Sequence, residues 1–218
     1  MNEIVVGLTD YLLTLECAVF AGMLMRITGG SPETRRFFAI FFFALALTSL
    51  TGGTYHLWFA DSTSLPADVL WKTTVVSLGA AAFAAWAAGA CLLFAQPLRG
   101  RAIKAVLIEF LAYSIYVAAI DDHFWVAIAN YIPAVIFLGV AFALSYRRRR
   151  ERPVLIGLVG LIVTGIAAAM QRYGFSLHPY YFNHNATYHL TQAIGLFLIF
   201  LAALFFVRNP LQGARIRS

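Results

Sequence analysis

The residues best able to do chemistry in this chain are its five histidines, His56, His123, His178, His184 and His189. Each stands at or near the end of a long apolar run. Neutral imidazole is the commonest protein metal ligand, and an ionisable group inside an apolar segment is costly unless it serves a site. His56 closes the stretch Thr51-Gly52-Gly53-Thr54-Tyr55-His56, and His189 lies in Asn183-His184-Asn185-Ala186-Thr187-Tyr188-His189-Leu190-Thr191-Gln192. Both fall about one turn inside the same end of their segments, so they are expected at one depth, as ligands of a metal ion or as a polar pocket. His184 is five residues before His189, some 140° around a helix. The two share an ion only if His184 precedes the helix proper, with Asn183 or Asn185 capping it. Asn185 and Gln192 complete the polar stretch as pocket residues, whereas His123 and His178 read as loop residues.

Three charged residues belong to the same reading. Glu16 is near the middle of the first apolar run, and Asp68 stands four residues before Lys72 in the third. Residues spaced so share a helix face and pair. Glu16 needs a donor at its depth, and Lys72 is one on offer. An ion pair that fixes packing and a catalytic role both remain open for this set. Glu109, with Tyr113 and Tyr116, falls in the other half of the chain's thickness, remote from the histidines. Gly52 and Gly53 beside His56 allow two helices to approach closely.

The elements that must hold these residues are helices across a bilayer. Of 218 residues, 61% are hydrophobic and 12% charged, too apolar for an ordinary soluble domain. A bilayer core takes roughly 20 apolar residues per helix, which divides the chain into seven spans: 5–27, 36–60, 67–95, 102–121, 123–146, 153–173 and 184–207. The breaks carry turn residues, as at Gly29-Gly30-Ser31-Pro32 and Ser64-Leu65-Pro66. The fourth and fifth spans meet at Asp121-Asp122-His123. The expected architecture is all-α, a single seven-helix membrane domain over residues 1–218. Cys17 and Cys91 lie within apolar runs and form neither a disulfide framework nor a zinc-finger pair.

The net charge of +6 is distributed as topology rather than as a surface for nucleic acid. Arg26, Arg35 and Arg36 follow the first span, Arg99, Arg101 and Lys104 the third, and Arg147 to Arg150 with Arg152 the fifth. Arg208, Arg215 and Arg217 follow the seventh. The alternate loops hold Asp61, Asp68, Asp121 and Asp122, Arg172 being the exception. Basic loops stay cytoplasmic, so the N-terminus is expected outside and the C-terminus in the cytoplasm. The protein is expected to be multi-pass in a bacterial inner membrane, with the histidine ends facing outward. Aromatics gather at those ends, among them Trp58, Trp71, Trp125 and the run His178-Pro179-Tyr180-Tyr181-Phe182. They suit an interfacial belt, and the last of them suits a pocket mouth.

A histidine ending the second span, an acidic residue a dozen positions on and histidines opening the seventh span resemble the superfamily of alkaline ceramidases and progestin/adiponectin receptors. The resemblance implies a seven-helix membrane hydrolase of lipid amides or its receptor relatives, with zinc as cofactor. On it His56 takes the second-span zinc ligand, Asp68 the acidic position and His189 the second histidine of an HxxxH motif. The first histidine of that motif falls on Asn185, with His184 one residue earlier. The family's serine falls on Gly52, with Ser49 one turn deeper as the nearest serine. Such a site uses His56, His189 and either His184 or Asp68 as ligands, leaving a fourth position for water. A free Asp68 accepts the water's proton instead. A lipid-like amide or ester is the substrate this implies. The same pocket also suits a non-enzymatic receptor or small transporter, or a haem with His56 and His189 as axial ligands. A retinal protein is disfavoured, because the seventh span has no lysine.

Overall fold

The structure, a computed structural model, describes residues 2–178 and 182–210. Pro179, Tyr180 and Tyr181, and the terminal Arg215 and Arg217, lie outside the described residues. Seven helices follow in order: α1 Asn2–Met25, α2 Pro32–Trp58, α3 Leu65–Leu93, α4 Leu98–Ala119, α5 Phe124–Arg149, α6 Arg152–Arg172 and α7 His184–Arg208. All seven are long and apolar enough to cross a membrane, as the apolar runs predict.

Several ends differ from the apolar limits. The second helix starts at Pro32 rather than 36, and the fourth at Leu98 rather than 102. Hydropathy marks the hydrocarbon, whereas capping and backbone bonding mark the helix. Ser31 caps α2 through its hydroxyl, which accepts from the Thr34 N–H at 3.4 Å, with Pro32 in the first turn. The polar first turns of α2 and α4 therefore extend each helix past its apolar stretch.

Six helices close a ring in the order α1, α2, α3, α5, α6, α7 and back to α1, while α4 stands outside it against α3. Burial follows this arrangement. The most apolar window of α3 is 78% buried and that of α4 only 11%. The third helix suits its central place because the face it turns inward is alanine: Ala81, Ala82, Ala84, Ala85, Ala87 and Ala88 are fully buried. Hydrocarbon gives helices no hydrophobic reason to associate, so small residues that permit close backbone contact carry the packing. Phenylalanines fill the space between α1, α2 and α7, with Phe20 stacked on Phe200 at 4.2 Å and edge-on to Phe42 at 5.4 Å.

The bundle's two ends differ in chemistry. At the basic end the Ser31 N–H donates to the Val207 carbonyl (3.0 Å), and Arg99 pairs with Glu33 (3.0 Å). Arg149 closes the same end on the carbonyls of Asn209 and Pro210, at 2.8 and 3.0 Å. All five histidines stand at the opposite end, where α2, α4 and α6 finish and α3, α5 and α7 begin.

A close helix crossing joins α6 to α7 at Gly160 and Gly195. A Cβ on Gly160 would lie 2.7 Å from the Gly195 carbonyl oxygen and 2.9 Å from the Ile199 nitrogen, both backbone atoms with no room to yield. Gly160→Ala is therefore expected to destabilise the folded protein by about 1–3 kcal/mol. Gly165, on the same helix with nothing within 4 Å of its Cβ position, serves as control. Thermal unfolding in detergent should show a lower Tm for Gly160→Ala and none of that loss for Gly165→Ala.

Candidate functional site

A cavity of about 230 Å³, mostly apolar but with polar groups in its wall, opens at the histidine end between α1, α2, α3 and α7, with α6 supplying Gln171 and α5 supplying Phe124. Its floor is apolar, built from Leu13, Leu45, Leu78 and Leu196, and its upper wall carries the polar groups. The volume is below the roughly 300–1,000 Å³ of pockets that enclose a drug-sized ligand. The cavity suits the polar end of a molecule better than a whole amphiphile or a porphyrin ring.

His56 and His189 line this one cavity together, as do Ser49, Asn185 and Gln192. Asn183 caps α7, accepting from the Ala186 N–H at 3.0 Å. That cap sets the first turn of α7 and places His189 in its second turn, turned inward and only 8% exposed. Asn185 accepts from the Gln171 amide at 3.0 Å, tying α6 to α7 at the rim. Thr74 of α3 lies 2.8 Å from the Thr51 hydroxyl of α2, joining the other wall.

Four residues of the expected constellation do not line the cavity. Asp68 and Lys72 do pair, with Lys72 Nζ 2.9 Å from Asp68 Oδ1, but on a partly exposed face of α3. Lys72 is thus engaged with Asp68 and not with Glu16, whose Oε2 is buried with no partner among the described residues. His184 is half-buried at the first residue of α7, away from the cavity wall. The i, i+4 spacing explains the first pair: two opposite charges one turn apart satisfy each other locally and need nothing from the bundle.

The partner that does meet His189 comes from α1. Asp10, 6% exposed, places Oδ1 3.3 Å from His189 Nε2. Thr9 fixes the ring from its other side. Its hydroxyl donates to the Val6 carbonyl at 2.8 Å, which leaves the oxygen lone pair to accept from His189 Nδ1 at 2.9 Å. With the proton held on Nδ1, the Nε2 lone pair faces the carboxylate. Two acceptors that face each other need a cation between them, either a proton or a metal ion. A charge-assisted N–H···O⁻ bond runs about 2.7–2.9 Å. Neighbouring ligands on a tetrahedral ion with bonds of 2.0–2.1 Å stand about 3.3–3.4 Å apart, so the 3.3 Å spacing accommodates a long proton-mediated contact and a metal edge alike.

Asp10 was legible only as one acidic residue near the start of the chain. It shares its buried stripe with Val6, Leu13 and Cys17, at helical spacing, and that periodicity was the signal for its inward direction. Gly53 explains how α2 comes so near: a Cβ there would lie 2.7 Å from Asp10 Cβ. Among the described residues, the one set of three ligating side chains within 4.8 Å of one another is Asp121, Asp122 and His123, in the loop before α5. Asp121 accepts from the His123 N–H at 2.9 Å and meets its ring Nδ1 at 2.6 Å. Those two bonds, the backbone one foremost, hold its carboxyl below the usual range. The grouping is a local turn that starts α5.

Residues 5–206 match the sequence profile of DUF6962, described as a family of unknown function, and the chain belongs to that family. No curated protein and no solved structure matches it.

Thr9→Val keeps the side-chain shape and removes the acceptor for the His189 Nδ1–H. A buried donor left unpaired costs about 1–3 kcal/mol, so the variant's Tm should fall. Histidine ¹⁵N shifts should report Nδ1 as protonated in the parent and altered in the variant. Unchanged shifts would mean that Thr9 does not hold the ring.

Proposed function

We propose that this member of the DUF6962 family is a metal-dependent membrane hydrolase acting on a lipid-like amide or ester in the cavity at the histidine end. The observation that carries this reading is the facing pair of acceptors, Asp10 Oδ1 and His189 Nε2, buried 3.3 Å apart with the imidazole's other nitrogen tied to Thr9. A ligating histidine whose second nitrogen is hydrogen-bonded is the usual arrangement at protein metal sites. His189 and Asp10 would hold the ion, zinc by the resemblance, with His56 the further histidine on the cavity wall. Bound there, zinc would act as a Lewis acid and lower the pKa of a coordinated water.

The chain's own residues do the rest. Thr9 orients the His189 ring, and Gly53 lets α2 bring its wall up to Asp10. Ser49 and Gln192 offer donors to a substrate carbonyl from opposite walls. The leucine floor accepts the start of an acyl chain, where an apolar surface favours methylenes over water. The clustering of basic residues in alternate loops supports a cytoplasmic position for the other end of the bundle. The cavity then faces outward from a plasma membrane and meets its substrate at the lipid headgroup level.

A second reading has its own support. No third ligating atom joins Asp10 and His189 within 4.8 Å among the described residues. The pair then shares a proton instead of a metal, and the cavity belongs to a ligand-binding protein or a small transporter.

Elemental analysis of protein purified without chelators distinguishes the two. The hydrolase reading expects about one zinc per chain, lost in the Asp10→Asn, His189→Ala double variant and held about 10–100-fold more weakly in Thr9→Val. Fatty acid should be released from an acyl-amide or acyl-ester lipid panel by the parent and not by the double variant. Absence of metal, with no binding of added zinc, would select the ligand-binding protein. Metal without fatty-acid release would keep the ion and remove the reaction.

A further inference from the structure

A second feature, independent of the cavity, lies on α4. This helix packs on α3 through Val106, Phe110, Tyr113 and Val117, with the Tyr113 ring over Gly79 and its hydroxyl donating to the Val75 carbonyl at 2.9 Å. The adjoining face is left bare. Ala105, Glu109, Ala112, Tyr116 and Ala119 recur at intervals of 4, 3, 4 and 3, and all five are exposed. That spacing is a heptad seam, the pattern of two helices crossing at a shallow left-handed angle. Three of its positions are alanine, which lets a second backbone come close.

Glu109 is the unexpected member. It stands 11 residues from the first residue of α4 and 10 from the last. At 1.5 Å per residue that is about 15 Å from either end, the middle of a bilayer core and not the far half expected from its apolar run, because α4 starts four residues before that run. Its one hydrogen-bond partner among the described residues is the Asn130 side-chain amide of α5. A carboxyl exposed at that depth is costly in hydrocarbon. An acyl chain offers it no hydrogen bond, and lipid headgroups lie at a different depth. What covers it must bring a polar group to mid-membrane along a smooth helix.

A second copy of the chain meets both demands. Two copies inserted in the same direction are related by a two-fold axis along the membrane normal, so each residue meets its counterpart at the same depth. Two carboxyls brought together in this way satisfy each other, since the neutral acid both donates and accepts. We propose that the chain forms a parallel two-fold homodimer through the exposed α4 seam, with Glu109 at its hydrogen-bonded centre.

Oxidative cross-linking in membranes tests the geometry. Ala105→Cys and Ala112→Cys should each give a dimer band. Leu107→Cys and Leu111→Cys, exposed on the other side of α4, should not, and the parent chain with Cys17 and Cys91 is the blank. Stepwise photobleaching of the labelled intact chain in lipid vesicles should show two steps. Glu109→Leu removes the polar centre at an exposed position that does not threaten folding, and should reduce the two-step fraction several-fold, with Glu109→Gln retaining more of it. Single-step bleaching of the parent, cross-links from Leu107→Cys or Leu111→Cys in place of the seam, or cross-linking of Ala112→Cys to a different protein would each overturn the proposal.

Discussion

A hydrocarbon surround offers no hydrogen-bond partner, so every polar group on these seven helices must find one inside the protein or lie at an end. Most of the hydroxyls in the helices meet that demand locally. Thr14, Thr48, Thr54 and Thr73 each donate to the carbonyl four residues earlier, at 2.7–3.0 Å. Others, several of them bonded locally as well, cross to a second helix and organise the histidine end. Thr9 and Asp10 reach across to His189, Thr74 to Thr51, and Gln171 to Asn185. Each of these contacts joins two helices, and together they frame the cavity.

Close packing and polar contact are here one device. Asp10 faces inward because α2 comes near enough, at Gly53, to cover its Cβ. The same principle at Gly160 and Gly195 brings α6 against α7, the helix that carries His189. Toward the basic end the device changes: Phe20, Phe38, Phe42, Phe200 and Phe206 fill the space with stacked and edge-on rings. The bundle therefore packs through aromatic rings toward one end and is joined by polar ties at the other.

The closing of the ring also decides which charged residues are inside. The α1–α7 contact brings Thr9 and Asp10 to His189 across 180 and 179 positions of sequence. By contrast, the Asp68–Lys72 pair is complete within one turn of α3, and nothing draws it into the bundle. The fourth helix stays outside the ring and keeps its own polar contact, Glu109 with Asn130.

What the sequence by itself determined is whatever a bilayer reads segment by segment. Span number follows from apolar length, and the clustering of basic residues at one end follows from alternate loops. The common depth of His56 and His189 follows from their position one turn inside two helix ends. These properties depend on local composition, so they survive without knowledge of the neighbours. Only the tertiary structure decided which helix faces which. Spacing allowed His184 to join His189 only if it preceded the helix; α7 instead begins at His184, and the ring supplied Asp10 from α1 as the partner of His189. Asp10 stands in a mostly apolar run beside Thr9, and a helix pattern says only that it faces inward. What it faces is set by the closing of six helices into a ring, and the contact that closes it joins α1 to α7, the first and last helices of the chain.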